Sequence, residues 1–208
     1  MDSYLSFGHR GVKETRALQI QAALRAEQLS QPRQLEAAYG RSVSAHVAMI
    51  RAYSAQIASL EAALAADLEA HPDSQIILSL PGLGMVLGAR VLGEFGDDPI
   101  RYADAKSLRN YAGTSPVTRA SGKSRAVLAR HARNRHLADA LDQWAFCSLR
   151  QSPGARAYYD ELRSRNKTHR QCIRQLANRW VGILHACLEN RFLYDEDLAW
   201  KHRVDLAA

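Results

Sequence analysis

Residues 76–92 read IILSLPGLGMVLGARVL, two apolar segments joined by one proline and two glycines. Apolar residues recur at helical spacing on both sides of the connection, which predicts short helices over 74–79 and 85–95. Glycine allows the backbone to turn tightly and to approach a partner closely. Two helices joined in this way form the pattern of a helix-hairpin-helix.

The start of the second of these helices is a candidate anion site. The first N–H groups of a helix have no partner within it and point at any anion placed there. In a helix-hairpin-helix the anion is a DNA phosphate, so that contact does not depend on base sequence. We predict nucleic-acid contact at Gly82, Leu83 and Gly84. The alternative is a plain connection between two packed helices.

Upstream of this motif the sequence predicts a helical stalk over residues 1–75. A long helix over 34–70 carries Val43, Ile50, Ile57 and Leu64 at intervals of seven, the spacing of a coiled-coil seam. A shorter helix over 13–30 ends before Pro32 and is expected to fold back on it as an antiparallel hairpin. The stalk serves either for dimerisation or as an amphipathic helix packed on its own domain.

Downstream, residues 76–208 form a second domain of short helices. Beyond the two already named, we expect helices over 104–112, 124–131, 134–150, 154–165 and 168–190. The only β-prone stretches are 76–78 and 117–118. The fold class is therefore mainly α, a long antiparallel coiled-coil hairpin followed by a helical domain that contains a helix-hairpin-helix.

Charge is distributed unevenly between the two parts. The chain has a net charge of +7, and residues 1–75 hold seven basic and eight acidic side chains, against 21 and 13 in residues 76–208. All the positive excess lies in the second domain, which predicts a polyanionic partner for that domain.

The densest basic segment runs from residue 119 to 135 and contains no acidic residue. Its cations would neutralise several phosphates of a nucleic acid, whereas a solvated basic face is the alternative. Its predicted nucleic-acid-binding residues are Arg119, Lys123, Arg125, Arg130, Arg133 and Arg135.

Within that segment Ser121 precedes Gly122. A serine that attacks a phosphodiester needs space around its hydroxyl, which glycine provides, and cations beside it, which Arg119 and Lys123 provide. Serine before glycine is common in basic loops, so this pattern by itself is weak. More arginines follow over 150–180, with Tyr158 and Tyr159 among them as candidates either for base stacking or for the core.

Other classes of site have little support in the sequence. Cys147, Cys172 and Cys187 are far apart and form no CxxC pair, which predicts buried thiols rather than a disulfide framework or a zinc site. No metal site and no membrane span are expected. Without a signal-peptide pattern near Met1, a cytoplasmic location is expected.

Four segments in order resemble one known family, the bridge-RNA-guided insertion-sequence transposases. The resemblance covers residues 76–200 nearly end to end, with a coiled coil in the corresponding place upstream. The segments are LSLPGLGMVLGARVLGEFGDD (78–98), RYADAKSLRNYAGTSPVTRASGKS (101–124), WAFCSLRQSPGARAYYDELRSRN (144–166) and NRWVGILHACLENRFLYDEDLAW (178–200).

The resemblance implies a DNA recombinase that works with a structured guide RNA and assembles as a homo-oligomer through its coiled coil. The family's nucleophilic serine follows a GxxP motif, here Gly113-Thr114-Ser115-Pro116, so it corresponds to Ser121. Its other catalytic half is a RuvC-like nuclease domain with four acidic residues that bind Mg²⁺. We expect no cofactor in this chain, because that domain has no counterpart in its sequence.

Three interpretations therefore remain open. One is the C-terminal part of a transposase, truncated and inactive alone, with Ser121 as its nucleophile. Another is a non-catalytic nucleic-acid-binding module or a regulator of an intact transposase. A helical protein with an incidental basic face is a third and weaker alternative.

Overall fold

The computed structural model describes residues 10–27, 31–96, 98 and 101–204, with side chains from residue 14 to residue 201. The mainly α class is confirmed, because nine helices and one two-stranded sheet occur among these residues. The helices are α1 (Arg10–Arg25), α2 (Arg33–Ala70), α3 (Ser74–Ser79), α4 (Met85–Phe95), α5 (Ala105–Ala112), α6 (Arg135–Ser148), α7 (Pro153–Ser164), α8 (His169–Asn190) and α9 (Glu196–Val204); the strands are β1 (Val117–Ser121) and β2 (Ser124–Leu128).

The chain divides into two compact units, Met1–Ala55 and Gln56–Ala208, so the division falls inside α2. In the first unit the described side chains of α1 and of α2 are all exposed. Helix α1 ends at Arg25, earlier than expected, and residues 28–30 lie outside the described part. The antiparallel coiled coil and the domain boundary at residue 75 stay predictions.

The second unit is built around two tryptophans. Trp144 of α6 and Trp180 of α8 are fully buried and stacked, with ring centroids 5.4 Å apart. Each indole N–H is satisfied, Trp144 by the carbonyl of Pro81 at 2.9 Å and Trp180 by the Ser148 hydroxyl at 2.8 Å. Buried indoles need such acceptors, so the stack also fixes the elements that supply them. Of the cysteines expected to be buried, Cys172 and Cys187 are buried, but Cys147 is exposed.

Helices α3 and α4 form as expected, and the turn between them is held against the end of α6. Gly82 has φ +89°, and a Cβ at this position would lie 2.7 Å from the backbone nitrogen of Ser148. Its own N–H donates to Oε1 of Gln151 at 2.7 Å. The close approach that this glycine permits is therefore an approach to the protein's own backbone.

The prediction of a helix over 124–131 is wrong, since residues 124–128 form strand β2. It pairs with β1 in antiparallel register, from Val117 opposite Leu128 to Ser121 opposite Ser124. The residues at the turn between the strands are Gly122, with φ +55°, and Lys123. Glycine first in a two-residue turn is typical of a type II′ hairpin, and this pairing overrides local helix propensity.

Helix α9 was not expected from the sequence, and its Trp200 packs into the core. Trp200 is buried against Trp180 and lies over Gly154, where a Cβ would be 2.2 Å from its ring. The carboxylate of Glu196 accepts hydrogen bonds from Ser152 Oγ at 2.9 Å and from the Gly154 N–H at 2.7 Å. These contacts join the start of α9 to the start of α7. None of the described helices combines the length and apolarity needed to cross a membrane.

Candidate nucleic-acid interface

The two strands form a hairpin whose side chains are almost entirely exposed. Residues 118–128 are all exposed, and only Val117 at the base is half-buried. Side chains alternate between the two faces of a strand. Arg119 and Ser121 therefore share one face with Ser124, whereas Arg125 lies on the opposite face, across from Ala120.

The Ser121 hydroxyl is exposed next to the turn. Arg119 is on its face and Lys123 is at the turn, so two cations flank it as expected. No hydrogen bond joins this hydroxyl to a histidine, aspartate or glutamate among the described residues. A serine nucleophile needs a base or another means of activation.

The first end of the hairpin is fixed by the GxxP motif. Gly113 ends α5 in the left-handed conformation, with φ +73°. A Cβ here would lie 2.2 Å from Cδ of Arg133, so the glycine leaves room for that arginine to cross the chain. Thr114 is buried, and its hydroxyl donates to Oδ1 of Asn178 on α8 at 3.1 Å.

The second end of the hairpin is fixed by Asn134. Its side-chain oxygen caps α6, and its Nδ2 donates to Glu94 at 2.6 Å and to the Tyr111 hydroxyl at 3.0 Å. Just before it, Nε of Arg130 is buried without a hydrogen-bond partner in the described part of the chain. The exposed hairpin is thus attached at both ends to the buried helical core.

Three arginines surround one carboxylate beside the base of the hairpin. Burial raises the pKa of Asp142 on α6, and the charges of Arg133, Arg174 and Arg170 oppose that rise. The side chain keeps exposed surface, but its carboxyl is partly removed from water. Asp139 is a second carboxylate nearby, so three cations face two anions and leave a net positive surface that joins the hairpin segment to α8.

The glycine turn lies apart from this basic surface. Gly82 contacts Ser148 at the C-terminal end of α6, whereas Arg133 and Arg135 lie at its N-terminal end. The 14 residues of α6 separate them by roughly 20 Å, at 1.5 Å per residue. The structure therefore does not bring these two groups of predicted residues together.

Two of the three turn residues predicted to bind phosphate have internal partners. The N–H of Gly82 donates to Gln151, and that of Leu83 donates to the carbonyl of Leu80 at 3.1 Å. Leu83 is also buried. Helix α4 begins at Met85 after an extended Gly84. The N–H groups at its start have no partner within the helix, so they are the remaining donors for an anion.

Several arginines of the later basic set are paired within the protein. Arg156 pairs with Asp160 at 2.8 Å and Arg165 with Glu161 at 2.5 Å, and Arg179 donates to the Ala199 carbonyl. The two ion pairs leave less charge for a ligand. Sequence reasoning missed Asn178, Asn134 and Asp142, because only the tertiary structure shows what these polar side chains contact.

The described part of the chain contains no group of three or more histidine, cysteine, aspartate or glutamate side chains placed to hold a metal ion. The residues of this part therefore do not fit the Mg²⁺ site that the family resemblance associates with a nuclease domain.

Comparisons with known proteins point to one family. Residues 74–160, from α3 into α7, match the family model described as Transposase IS116/IS110/IS902 family. The chain is 40% identical over 189 residues to an IS117 mini-circle protein of Streptomyces coelicolor whose name describes a transposase. That alignment covers 91% of this chain and 46% of the relative.

Two further relatives are named as insertion-element proteins. The IS900 42 kDa protein of Mycobacterium paratuberculosis is 36% identical, over 70% of this chain and 37% of its own length. The IS110 43.6 kDa protein of Streptomyces coelicolor is 37% identical, over 72% of this chain and 36% of its own length. The chain thus spans less than half the length of these relatives. Through residues 74–160, it belongs to the IS116/IS110/IS902 family of transposases.

Proposed function

We propose that this chain is the part of a DNA transposase that holds the nucleic acid and supplies Ser121 as the nucleophile for strand exchange. One observation carries the proposal: the Ser121 hydroxyl is exposed beside a hairpin turn, with Arg119 on the same face and Lys123 at the turn. The hairpin presents this hydroxyl to a phosphodiester, and the helical core fixes both of its ends.

In the proposed reaction Ser121 Oγ attacks the phosphorus of a phosphodiester. A P–O bond to Oγ forms, the bond to one sugar oxygen breaks, and that oxygen leaves as a hydroxyl with the serine proton. Arg119 and Lys123 stabilise the charge that develops on the phosphate oxygens. A base takes the serine proton and returns it to the leaving sugar oxygen.

Replacing Ser121 tests the chemistry directly. Ser121→Ala should abolish strand transfer in an assay to which a nuclease domain of the family is added, while DNA affinity stays within twofold. Ser124→Ala is the matched control, since Ser124 lies directly opposite on the same face and is also exposed. Strand transfer by Ser121→Ala at the rate of the Ser124→Ala control would eliminate the proposed nucleophile.

Arg119 and Arg125, on opposite faces of the hairpin, should each contact a phosphate. Log K falls with log salt by about 0.9 per phosphate neutralised on duplex DNA. Arg119→Gln and Arg125→Gln should each lower that slope by roughly one. Because Arg119 shares the face of Ser121, its loss should also slow strand transfer, whereas the loss of Arg125 should affect binding only. A slope unchanged in both variants would argue against contact through the hairpin.

We propose a second phosphate contact at the start of α4, through the backbone N–H groups that follow the glycine turn. This site and the base of the hairpin are roughly 20 Å apart along α6. A duplex carries one phosphate per 3.4 Å of axis on each strand, so about six steps would span the two. Footprinting should show two protected patches on one duplex, and a single short patch would contradict this placement.

A structured guide RNA and self-association through α2 are also proposed, because the family resemblance implies both. Val43, Ile50, Ile57 and Leu64 are exposed at heptad spacing on α2, which fits pairing with a second copy. Ile50→Lys should then shift the sedimentation profile to monomer, whereas Ala48→Lys, on the other side of the helix, should not. Competition between structured RNA and duplex DNA tests the RNA contact.

The alternative function is a binding module without catalysis. It is favoured by the lack of a base hydrogen-bonded to Ser121 among the described residues. In that case the Ser121→Ala and Ser124→Ala variants would behave alike in strand transfer, and both would keep the salt-dependent affinity of the unmodified chain. The same pair of variants therefore separates the two functions.

A further inference from the structure

Three aromatic side chains from different helices form an exposed cluster away from the hairpin. Phe146 of α6 and His169 of α8 meet edge to face, with centroids 6.3 Å apart at 87°. Tyr159 of α7 meets the same histidine at 5.8 Å, and its hydroxyl lies 2.8 Å from Nδ1 of His169. We call these three residues the aromatic platform.

The platform is open to solvent and is held in a fixed arrangement. Phe146 is 59% exposed and His169 is exposed, whereas Tyr159 is half-buried against the core. The hydrogen bond between Tyr159 and His169 fixes the orientation of the central ring. A single exposed phenylalanine needs no explanation. Three rings held together by three helices instead resemble a surface built to receive another planar group.

Positive charge surrounds the platform and continues toward the hairpin. Arg156 lies with Cζ 5.9 Å from the Tyr159 centroid, although Asp160 pairs with it. Arg170 follows His169 directly, and Arg174 lies one turn further along α8. Both arginines act on Asp142, which lies one turn before Phe146 on α6. Residues four apart on a helix share a face, so Phe146 lies on the same face of α6 as the carboxylate on which these cations act.

A hydrogen bond connects this surface to the base of the hairpin. Asn178, one turn after Arg174, accepts from Thr114 of the segment that leads into β1. From His169 to Asn178 the rise along α8 is roughly 13 Å, at 1.5 Å per residue. The aromatic rings thus lie near the start of α8, and the arginines follow along the helix toward the hairpin. Sites that bind single strands combine these two components, because bases stack on the rings and basic groups contact the backbone.

We propose that the aromatic platform stacks an unpaired nucleobase, and that Arg170 and Arg174 hold the phosphates of that strand on its way to the hairpin. This inference rests on the proposed nucleic-acid function but adds a ligand class, an unpaired nucleotide, at residues distinct from Ser121. Strand exchange requires strands to leave their duplex, and a stacking surface would hold one of them apart.

Fluorescence anisotropy with the full chain tests the platform. The probes are a labelled 15-nucleotide DNA single strand, the RNA strand of the same sequence, and the corresponding DNA duplex. Phe146→Ala should weaken single-strand binding by roughly 5- to 150-fold, the range for replacing an aromatic side chain that stacks one base. Phe146→Leu should weaken it similarly, Phe146→Trp should retain it, and duplex affinity should stay within twofold.

Phe192→Ala is the matched control, since Phe192 is also partly exposed but lies just beyond the far end of α8. If Phe146→Ala weakened binding to the DNA and RNA single strands equally, the result would support a base as the ligand. If it weakened binding to only one of them, the result would support stacking on the platform by that kind of strand. Unchanged single-strand binding by Phe146→Ala, or an equal loss with the duplex, would overturn the inference. If the unmodified chain bound neither single strands nor duplex, the proposed function itself would fail.

Discussion

Replacing Gly82 with alanine is the sharpest test of how the glycine turn is built. The turn holds α3 and α4 against the end of α6, and two features of the site exclude a side chain. The residue has φ +89°, and a Cβ would lie 2.7 Å from the backbone nitrogen of Ser148 and 3.1 Å from its Cα. Both neighbouring atoms belong to the backbone at the end of a helix, so they cannot move aside cheaply.

The expected destabilisation follows from these two features. A left-handed conformation costs a residue with a Cβ about 1–2 kcal/mol. Forcing an extra methyl group into packed surroundings costs about 1–3 kcal/mol more. The free energy of unfolding should therefore fall by roughly 2–5 kcal/mol. At about 2–4 °C per kcal/mol for a chain of this size, the melting temperature should fall by roughly 4–20 °C.

Thermal unfolding followed by circular dichroism at 222 nm would measure this change. Gly93→Ala is the matched control, because Gly93 lies exposed within α4 and a Cβ there meets nothing within 4 Å. Alanine in such a helical position should stabilise the protein by about 0.5–1 kcal/mol. If Gly82→Ala melted at the temperature of the unmodified chain, the close approach to Ser148 would not constrain this turn.

Three further changes test the contacts that position the hairpin and the last helix. Thr114→Val should lower the free energy of unfolding by about 1–3 kcal/mol in urea titrations, since Asn178 loses its donor; an unchanged midpoint would argue against this attachment. Ser152→Ala should lower the free energy of unfolding by about 0.5–2 kcal/mol, because it removes the cap on α7 and a hydrogen bond to Glu196. A loss of solubility without a shift in the urea midpoint would contradict that cause. Burial and the hydrogen bond to Glu196 raise the pKa of the Tyr194 phenol above its ordinary value of about 10. The stability that this phenol contributes is complete below pH 10 and is lost above it, because the unfolded chain then releases a proton that the native state keeps. Tyr194→Phe should therefore flatten the decline in the free energy of unfolding between pH 10 and 11. An equally steep decline in that variant would show that another group causes it.

Most helices could be predicted from the sequence, because their signals are local. The apolar spacing around Leu80 and Val91 predicted α3 and α4 with the bounds that the structure shows. Thr168, whose side chain and Gln171 form a capping box, marks the start of α8 within one residue of the prediction. Periodicity and caps depend on residues a few positions apart, so no tertiary contact is needed to read them.

The hairpin could not be predicted in the same way. Residues 124–131 contain alanine, leucine and arginine, which favour helix locally. What makes 124–128 a strand is its pairing with 117–121 across a glycine at positive φ. The unexpected α9 is similar, because its position depends on Trp200 packing over Gly154. In both places the deciding partner is another part of the chain.

The sequence by itself determined the helical class, the basic character of residues 76–208 and the family resemblance, because each is carried by residue types and short spacings. Only the tertiary structure decided how the candidate site is arranged. It placed Arg119 and Ser121 on one face of the hairpin, with Arg125 on the other. It also placed Gly82 against Ser148, at the opposite end of α6 from Arg133. Strand register and helix packing set these distances, and both arise from contacts between residues that are far apart in the chain.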